Sequence, residues 1–163
     1  MPKSEFQFSD FFLEVPDENK DFVSTVHELF TNDGYKIKIE PKPIGYMLTY
    51  LHPKTKHSLL NFVFRKNGMY IRLYGANCNS YQDVLDRLPQ SMVAQMKKAG
   101  DCPRLLGQDK CSSKCAMGYD FTIGDTRFQK CRIACFFLQV DEESMPFLLE
   151  MAQREKSERA TQV

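Results

Sequence analysis

Five of the six cysteines in this 163-residue chain crowd into one stretch. Cys102, Cys111, Cys115, Cys131 and Cys135 follow the order C-x8-C-x3-C-x15-C-x3-C, and only Cys78 stands apart. The even total would suit three disulfides in an oxidising compartment. The opening residues, Met1-Pro2-Lys3-Ser4-Glu5-Phe6, lack the apolar segment of a secretion signal, so the expected compartment is the reducing cytoplasm. A thiol cluster there points to a metal, most often zinc. The alternatives are ordinary buried thiols, redox chemistry and an iron–sulfur cluster. The last would want a third cysteine soon after Cys115, where position 118 is Gly118.

Strand geometry narrows the ligand set. Residues 128–140 (FQKCRIACFFLQV) are aromatic and β-branched and read as one strand. Four residues along a strand cover about 13 Å. Two sulfurs on one tetrahedral zinc lie about 3.7 Å apart. Cys131 and Cys135 therefore cannot share an ion on a regular strand. Cys131, at the strand start, joins Cys102, Cys111 and Cys115 as the predicted zinc ligands. Cys135, among Ile133, Phe136 and Phe137, reads as a core thiol. A helical 132–137 would put Cys131 and Cys135 on one face and weaken this choice. Four sulfurs with His27, His52 and His57 remote in sequence imply a closed, structural site, since catalytic zinc keeps an open position.

Other chemistry is sparse. The chain has no G-x-G-x-x-G, G-x4-G-K-[ST], H-E-x-x-H or G-x-S-x-G motif. Glu142 and Glu143 are adjacent and would diverge on a helix. His52 and His57 flank a Lys-rich turn and read as exposed loop residues. Cys78 precedes a predicted helix start, where a thiol pKa can fall, but no base is visible beside it.

These residues need a scaffold, and the length suits a single domain with a real core. Hydrophobic residues at 42% and charged residues at 26% exclude wholesale disorder, and no apolar run approaches a membrane span. Residues 1–16 carry Phe6, Phe8, Phe11 and Phe12 and read as an N-terminal arm or short turn over the domain. Pro16-Asp17 opens a helix with Phe22, Val26, Leu29 and Phe30 on one face, stopped at Asn32-Asp33-Gly34. Tyr35, Ile37 and Ile39 alternate with Lys36, Lys38 and Glu40 in a half-buried strand. Residues 46–51 form a second strand.

The clearest local signal is Asn67-Gly68 between two apolar strands at 58–66 and 69–74, a type I′ hairpin signature. That register sets Phe64 opposite Ile71 and Phe62 opposite Leu73. It predicts a core face of Phe62, Phe64, Ile71 and Leu73, packed against helical faces that include Val26 and Phe30. The other face gathers Arg65, Tyr70, Arg72 and Tyr74, a candidate ligand or nucleic-acid surface. Helices are predicted from Asn79-Ser80 to Leu88 and from Ser91 to Ala99. A Cys-rich module over 102–135 follows, with a second hairpin turning at Gly124-Asp125. A terminal helix runs from Asp141 with Phe147, Leu148, Met151 and Ala152 on its apolar side, and its polar end over 154–163 is expected to fray. The expected fold is α+β: an antiparallel β-meander packed against helices, with a Cys-rich loop and a second β-hairpin.

Residues 17–98 show a diffuse resemblance to the small bacterial YdhG-like and TfoX N-terminal-like α+β domains. Cys111-Ser112-Ser113-Lys114-Cys115, Met117-Gly118-Tyr119-Asp120-Phe121 and Lys130-Cys131-Arg132 together resemble a group of small, clostridial-type bacterial cysteine-cluster proteins with no assigned activity. The resemblance implies the same fold and a bacterial cytosol, and it transfers no catalytic residue.

Net charge is +1, but its layout is uneven: residues 1–30 carry −5, residues 31–75 carry +6 and the remainder is neutral. The basic block lies on the strands beside Tyr70 and Tyr74, which suits an anionic ligand or nucleic acid. A solvated sheet face with lysine-blunted edges gives the same pattern. The expected function is a non-enzymatic, cytoplasmic, zinc-stabilised domain that binds a small molecule or a protein. The alternatives are a nucleic-acid-binding regulator and a thiol-dependent enzyme or redox sensor.

Overall fold

The structure, a computed structural model, describes residues 6–108 and 115–161. It opens on α1 (Phe8–Leu13), a 3-10 turn (Asp17–Asn19) and α2 (Lys20–Thr31). A meander follows: β1 (Lys36–Pro41), β2 (Tyr46–Leu51), β3 (Ser58–Arg65) and β4 (Gly68–Leu73). A 3-10 turn (Cys78–Tyr81) leads into α3 (Gln82–Leu85) and then α4 (Gln90–Lys98). The chain ends with β5 (Tyr119–Ile123), β6 (Thr126–Lys130), β7 (Phe137–Gln139) and α5 (Met145–Ala160). An antiparallel sheet of order β1-β2-β3-β4-β7 and a separate β5-β6 hairpin make the fold α+β.

One face of the five-stranded sheet is the core. Phe62, Ile71 and Leu73 are buried, Phe64 is 8% exposed, and Met69 and Leu138 extend the same apolar row. Phe22 meets Phe62 edge-on at 6.4 Å, and Phe30 stacks on Tyr50 at 5.0 Å. The arm is a helical turn: Phe11 of α1 is fully buried against Phe62 and Phe64, with ring centroids 5.8 and 5.3 Å away. Each such side chain stabilises the fold by about 1.5–3 kcal/mol relative to exposure.

The β3–β4 hairpin keeps its predicted faces but not its register. Arg65 pairs with Gly68, Phe64 with Met69 and Phe62 with Ile71, a shift of two residues from the expected pairing. Lys66-Asn67 forms the loop, and Gly68 alone carries the positive φ (+133°). A type I′ turn needs positive φ at both loop residues, so that turn is absent. Because side chains alternate with period two, a two-residue shift leaves every one on its predicted face.

Three predicted elements change more. The strand over 128–140 is broken after Lys130, and the Cys131 carbonyl accepts the N–H groups of Ala134 and Cys135 in a helical turn. β7 then leaves the small hairpin and joins β4. The helix expected from Asn79 to Leu88 is only a 3-10 turn followed by the short α3, with Pro89 closing the segment. The polar end of the last helix does not fray at Arg154; α5 continues to Ala160.

The reason lies in a buried charge pair. Glu155 has no exposed surface, and its carboxylate accepts from the Asn77 N–H (3.0 Å), Asn77 Nδ2 (2.8 Å), the Tyr81 hydroxyl (2.8 Å) and Arg159 Nε (3.0 Å). Arg159 also donates to the carbonyls of Ser58 (2.9 Å) and Tyr74 (2.7 Å). The network ties α5 to the start of β3, the end of β4 and the Cys78–Tyr81 turn. Removing one member strands the other charge in the interior. Glu155→Ala should therefore lower unfolding free energy by about 3–5 kcal/mol in urea titration; a loss below about 1 kcal/mol, the scale of an exposed pair, would contradict this role.

Candidate functional site

The cysteine module is assembled by main-chain pairing. Residues 100–102 run antiparallel to the end of β6: the Cys102 N–H donates to the Gln129 carbonyl (2.9 Å), and the Cys131 N–H donates to the Gly100 carbonyl (2.7 Å). Lys130 Nζ reaches the carbonyls of Lys97 and Ala99 and the Asp101 carboxylate, which fixes the end of α4 to the same strand. From the β5 side, the Gly118 N–H donates to Cys102 Sγ at 3.3 Å. A Cβ on Gly118 would lie 1.9 Å from the Lys130 carbonyl oxygen and 2.9 Å from Cys102 Cβ, so only glycine permits this approach. Arg104 Nη1 donates to the Cys115 carbonyl at 2.5 Å.

The segments bearing Cys102, Cys115 and Cys131 are thus tied together, while Cys111 lies outside the described residues. Among the described residues, no three His, Cys, Asp or Glu side chains stand close enough to hold a metal. Cys102 is nonetheless distinctive. Burial pushes its thiol pKa up, but N–H groups of Leu105, Gly118 and Arg104 and the Arg104 guanidinium outweigh this and hold it below its ordinary value. The other buried thiols are the reverse case. Cys78 is pushed up to about 12, chiefly by burial and then by Glu155, and burial raises Cys135 as well. Cys135 lies fully inside the core. The surroundings of Cys78 thus disfavour the thiolate that a helix start would favour.

Three of the four residues expected on the ligand face lie together. Tyr70, Arg72 and Arg65 converge on a residue the sequence did not single out, Phe137. Its ring stacks on Tyr70 (4.9 Å, 5°), and the guanidinium carbons of Arg72 and Arg65 lie 4.8 and 5.2 Å from its centroid. Arg72 is further fixed by Nε to the Ile133 carbonyl (2.8 Å) and Nη1 to Asn61 Oδ1 (3.3 Å). Tyr74 lies apart, under Arg132 (5.8 Å). Among the described residues neither Arg65 nor Arg72 forms an ion pair, so Asp10 and Glu14 of the arm do not neutralise them. Beside them opens a cleft of about 340 Å³ lined by Lys42, Ile44, Met47 and Val63. Phe137 was hard to foresee because the break after Lys130 carries no glycine or proline.

His52 departs from its sequence reading. It is buried rather than a solvated loop residue, and its Nδ1 accepts the N–H groups of Lys54 (3.1 Å) and Thr55 (3.2 Å). Nδ1 is therefore unprotonated and Nε2 carries the hydrogen. His57 is exposed, as expected.

Comparison with protein families, with curated proteins and with solved structures returns no match to this chain. Function must therefore be read from the geometry.

Two outcomes follow. Arg72→Ala removes hydrogen bonds and a cation–π contact and should lower stability by about 1–3 kcal/mol, while Arg65→Ala, which lacks the long-range hydrogen bonds, should change it by less than about 1 kcal/mol; equal losses in thermal melts would contradict this division. Burial first, and neighbouring cations second, hold the His52 pKa below its ordinary value, and burial does the same for His27. The unfolded chain then binds more protons, so stability is full above pH about 6.5 and falls as pH drops through that value. His52→Asn supplies an acceptor without the titration and should flatten the slope; an unchanged slope would remove His52 from it.

Proposed function

We propose that the protein is a zinc-stabilised binding module of a reducing bacterial cytoplasm. Its metal ligands are Cys102, Cys111, Cys115 and Cys131, and its ligand surface is the Arg65–Tyr70–Arg72 face around Phe137. The observation that carries the metal reading is the Cys102 sulfur, a thiol with lowered pKa that accepts backbone N–H groups in a partly electropositive corner. Such N–H···S bonds are the outer shell that holds a metal thiolate. None of the described cysteines is in a disulfide, so each sulfur could deprotonate to a thiolate ligand. The helical turn at 131–135 removes the strand argument against Cys135, whose side chain is fully buried in the hydrophobic core.

The ligand surface suits a small anionic molecule with an apolar portion: two guanidiniums, neither in an ion pair among the described residues, flank an aromatic ring and a cleft with apolar walls. The nucleic-acid reading is weaker there, because Tyr70 and the two arginines already engage the Phe137 ring and leave it little free surface for a base. No helix among the described residues is long and apolar enough to cross a membrane.

Elemental analysis of the protein as purified should find one zinc per chain. Cys102→Ser should lose it and melt lower, because metal binding free energy is folding free energy, whereas Cys135→Ser should retain it. Metal-free protein with an unchanged melting temperature would overturn the reading.

A further inference from the structure

A second cleft lies where the 52–57 loop, the end of β4 and the 131–136 turn meet. It encloses about 210 Å³ and is lined by His52, Thr55, His57, Asn77, Arg132 and Arg159, with no carboxylate in its wall. Glu155 stands behind Asn77 and Arg159, where it neutralises Arg159 from the core side. Arg132 has no such partner: its guanidinium lies 5.8 Å from the Tyr74 ring and 6.0 Å from the Tyr119 ring, and no ion pair among the described residues includes it. Lys54 and Lys56 stand on the same loop, close enough, with Arg159 and His57, to disfavour a proton on His52.

The 52–57 loop is a tight turn. Lys56 holds φ +64°, a left-handed conformation a side-chain-bearing residue adopts only when its surroundings impose it. Its N–H returns to the His52 carbonyl, and the His52 N–H pairs with the His57 carbonyl, so the turn brings both imidazoles to one cleft. Because His52 Nδ1 is an acceptor for main-chain N–H groups, the hydrogen it can offer a ligand is on Nε2. The cleft therefore presents donors and positive charge, and too little volume for an ordinary drug-sized ligand.

We propose that this cleft is an oxyanion site that takes a phosphate group, with Arg132 as its principal charged contact and His52 and His57 as flanking donors. Fork-shaped guanidinium donors match a tetrahedral oxyanion, and a partly enclosed cleft strengthens the attraction. The site shares no residue with the proposed metal ligands, although Arg132 follows Cys131 on the same turn.

The test is titration calorimetry at low ionic strength with inorganic phosphate and, separately, phenyl phosphate. Phosphate should bind, and phenyl phosphate should bind more tightly if the natural ligand carries the group on a larger body, or more weakly if the ligand is the free ion. Arg132→Gln should weaken binding about tenfold or more, as loss of a charge-assisted contact does. His57→Gln should weaken it less, and Arg127→Gln, paired with Asp120 elsewhere, should leave it unchanged. Thermal melts establish that each variant is folded. No heat with either probe at millimolar concentration, or equal affinity in a folded Arg132→Gln variant, overturns the proposal.

Discussion

A carboxylate with no exposed surface is the constraint on which this fold turns. Glu155 can stay in the interior only if its oxygens are filled with donors and its charge is matched. Arg159, one helical turn on, supplies the charge, and Asn77 and Tyr81 supply the remaining donors. Arg159 then satisfies carbonyls at the ends of two central strands. The demand for satisfaction thus keeps α5 helical to its end and fixes the chain where it leaves the sheet.

The same network also reaches the cleft proposed as an oxyanion site. Arg159 and Asn77 form part of the wall of the cationic cleft. The short 131–136 turn links the remaining features: Cys131 belongs to the cysteine module, Arg132 enters the cleft, and the Ile133 carbonyl holds Arg72 on the sheet face. One six-residue turn thus contributes a residue to all three.

Period-two alternation was readable wherever one strand face is buried. The faces of β3 and β4 follow from Phe62, Phe64, Ile71 and Leu73 alone, and they survive an error of two residues in register. The Gly124-Asp125 turn is likewise where its glycine placed it, with Gly124 at φ +60°. The end of α5 was not readable. Arg154, Glu155, Lys156, Glu158 and Arg159 look like a solvated polar face, and only the tertiary fold shows that two of them point inward. The break after Lys130 was hidden for a related reason. Residues 128–140 have strand propensity throughout, and the turn is imposed by pairing of Cys131 with Gly100 and of β7 with β4. In the candidate site, the cysteines and arginines were visible as residue types, whereas Phe137, Gly118 and the buried His52 acquire meaning only from their neighbours.

The dependence on Glu155 is tested most directly by native-state hydrogen exchange at the Asn77 amide. This N–H lies in a connection between β4 and a 3-10 turn, outside any ladder, and donates to the buried carboxylate. Loop amides ordinarily exchange through local opening, far faster than core strands. If the network holds the fold together, the Asn77 amide exchanges only with global unfolding, at the free energy measured for the amides of β3 and β4. Exchange at the rate of an exposed loop amide would show that the carboxylate is not the anchor described here.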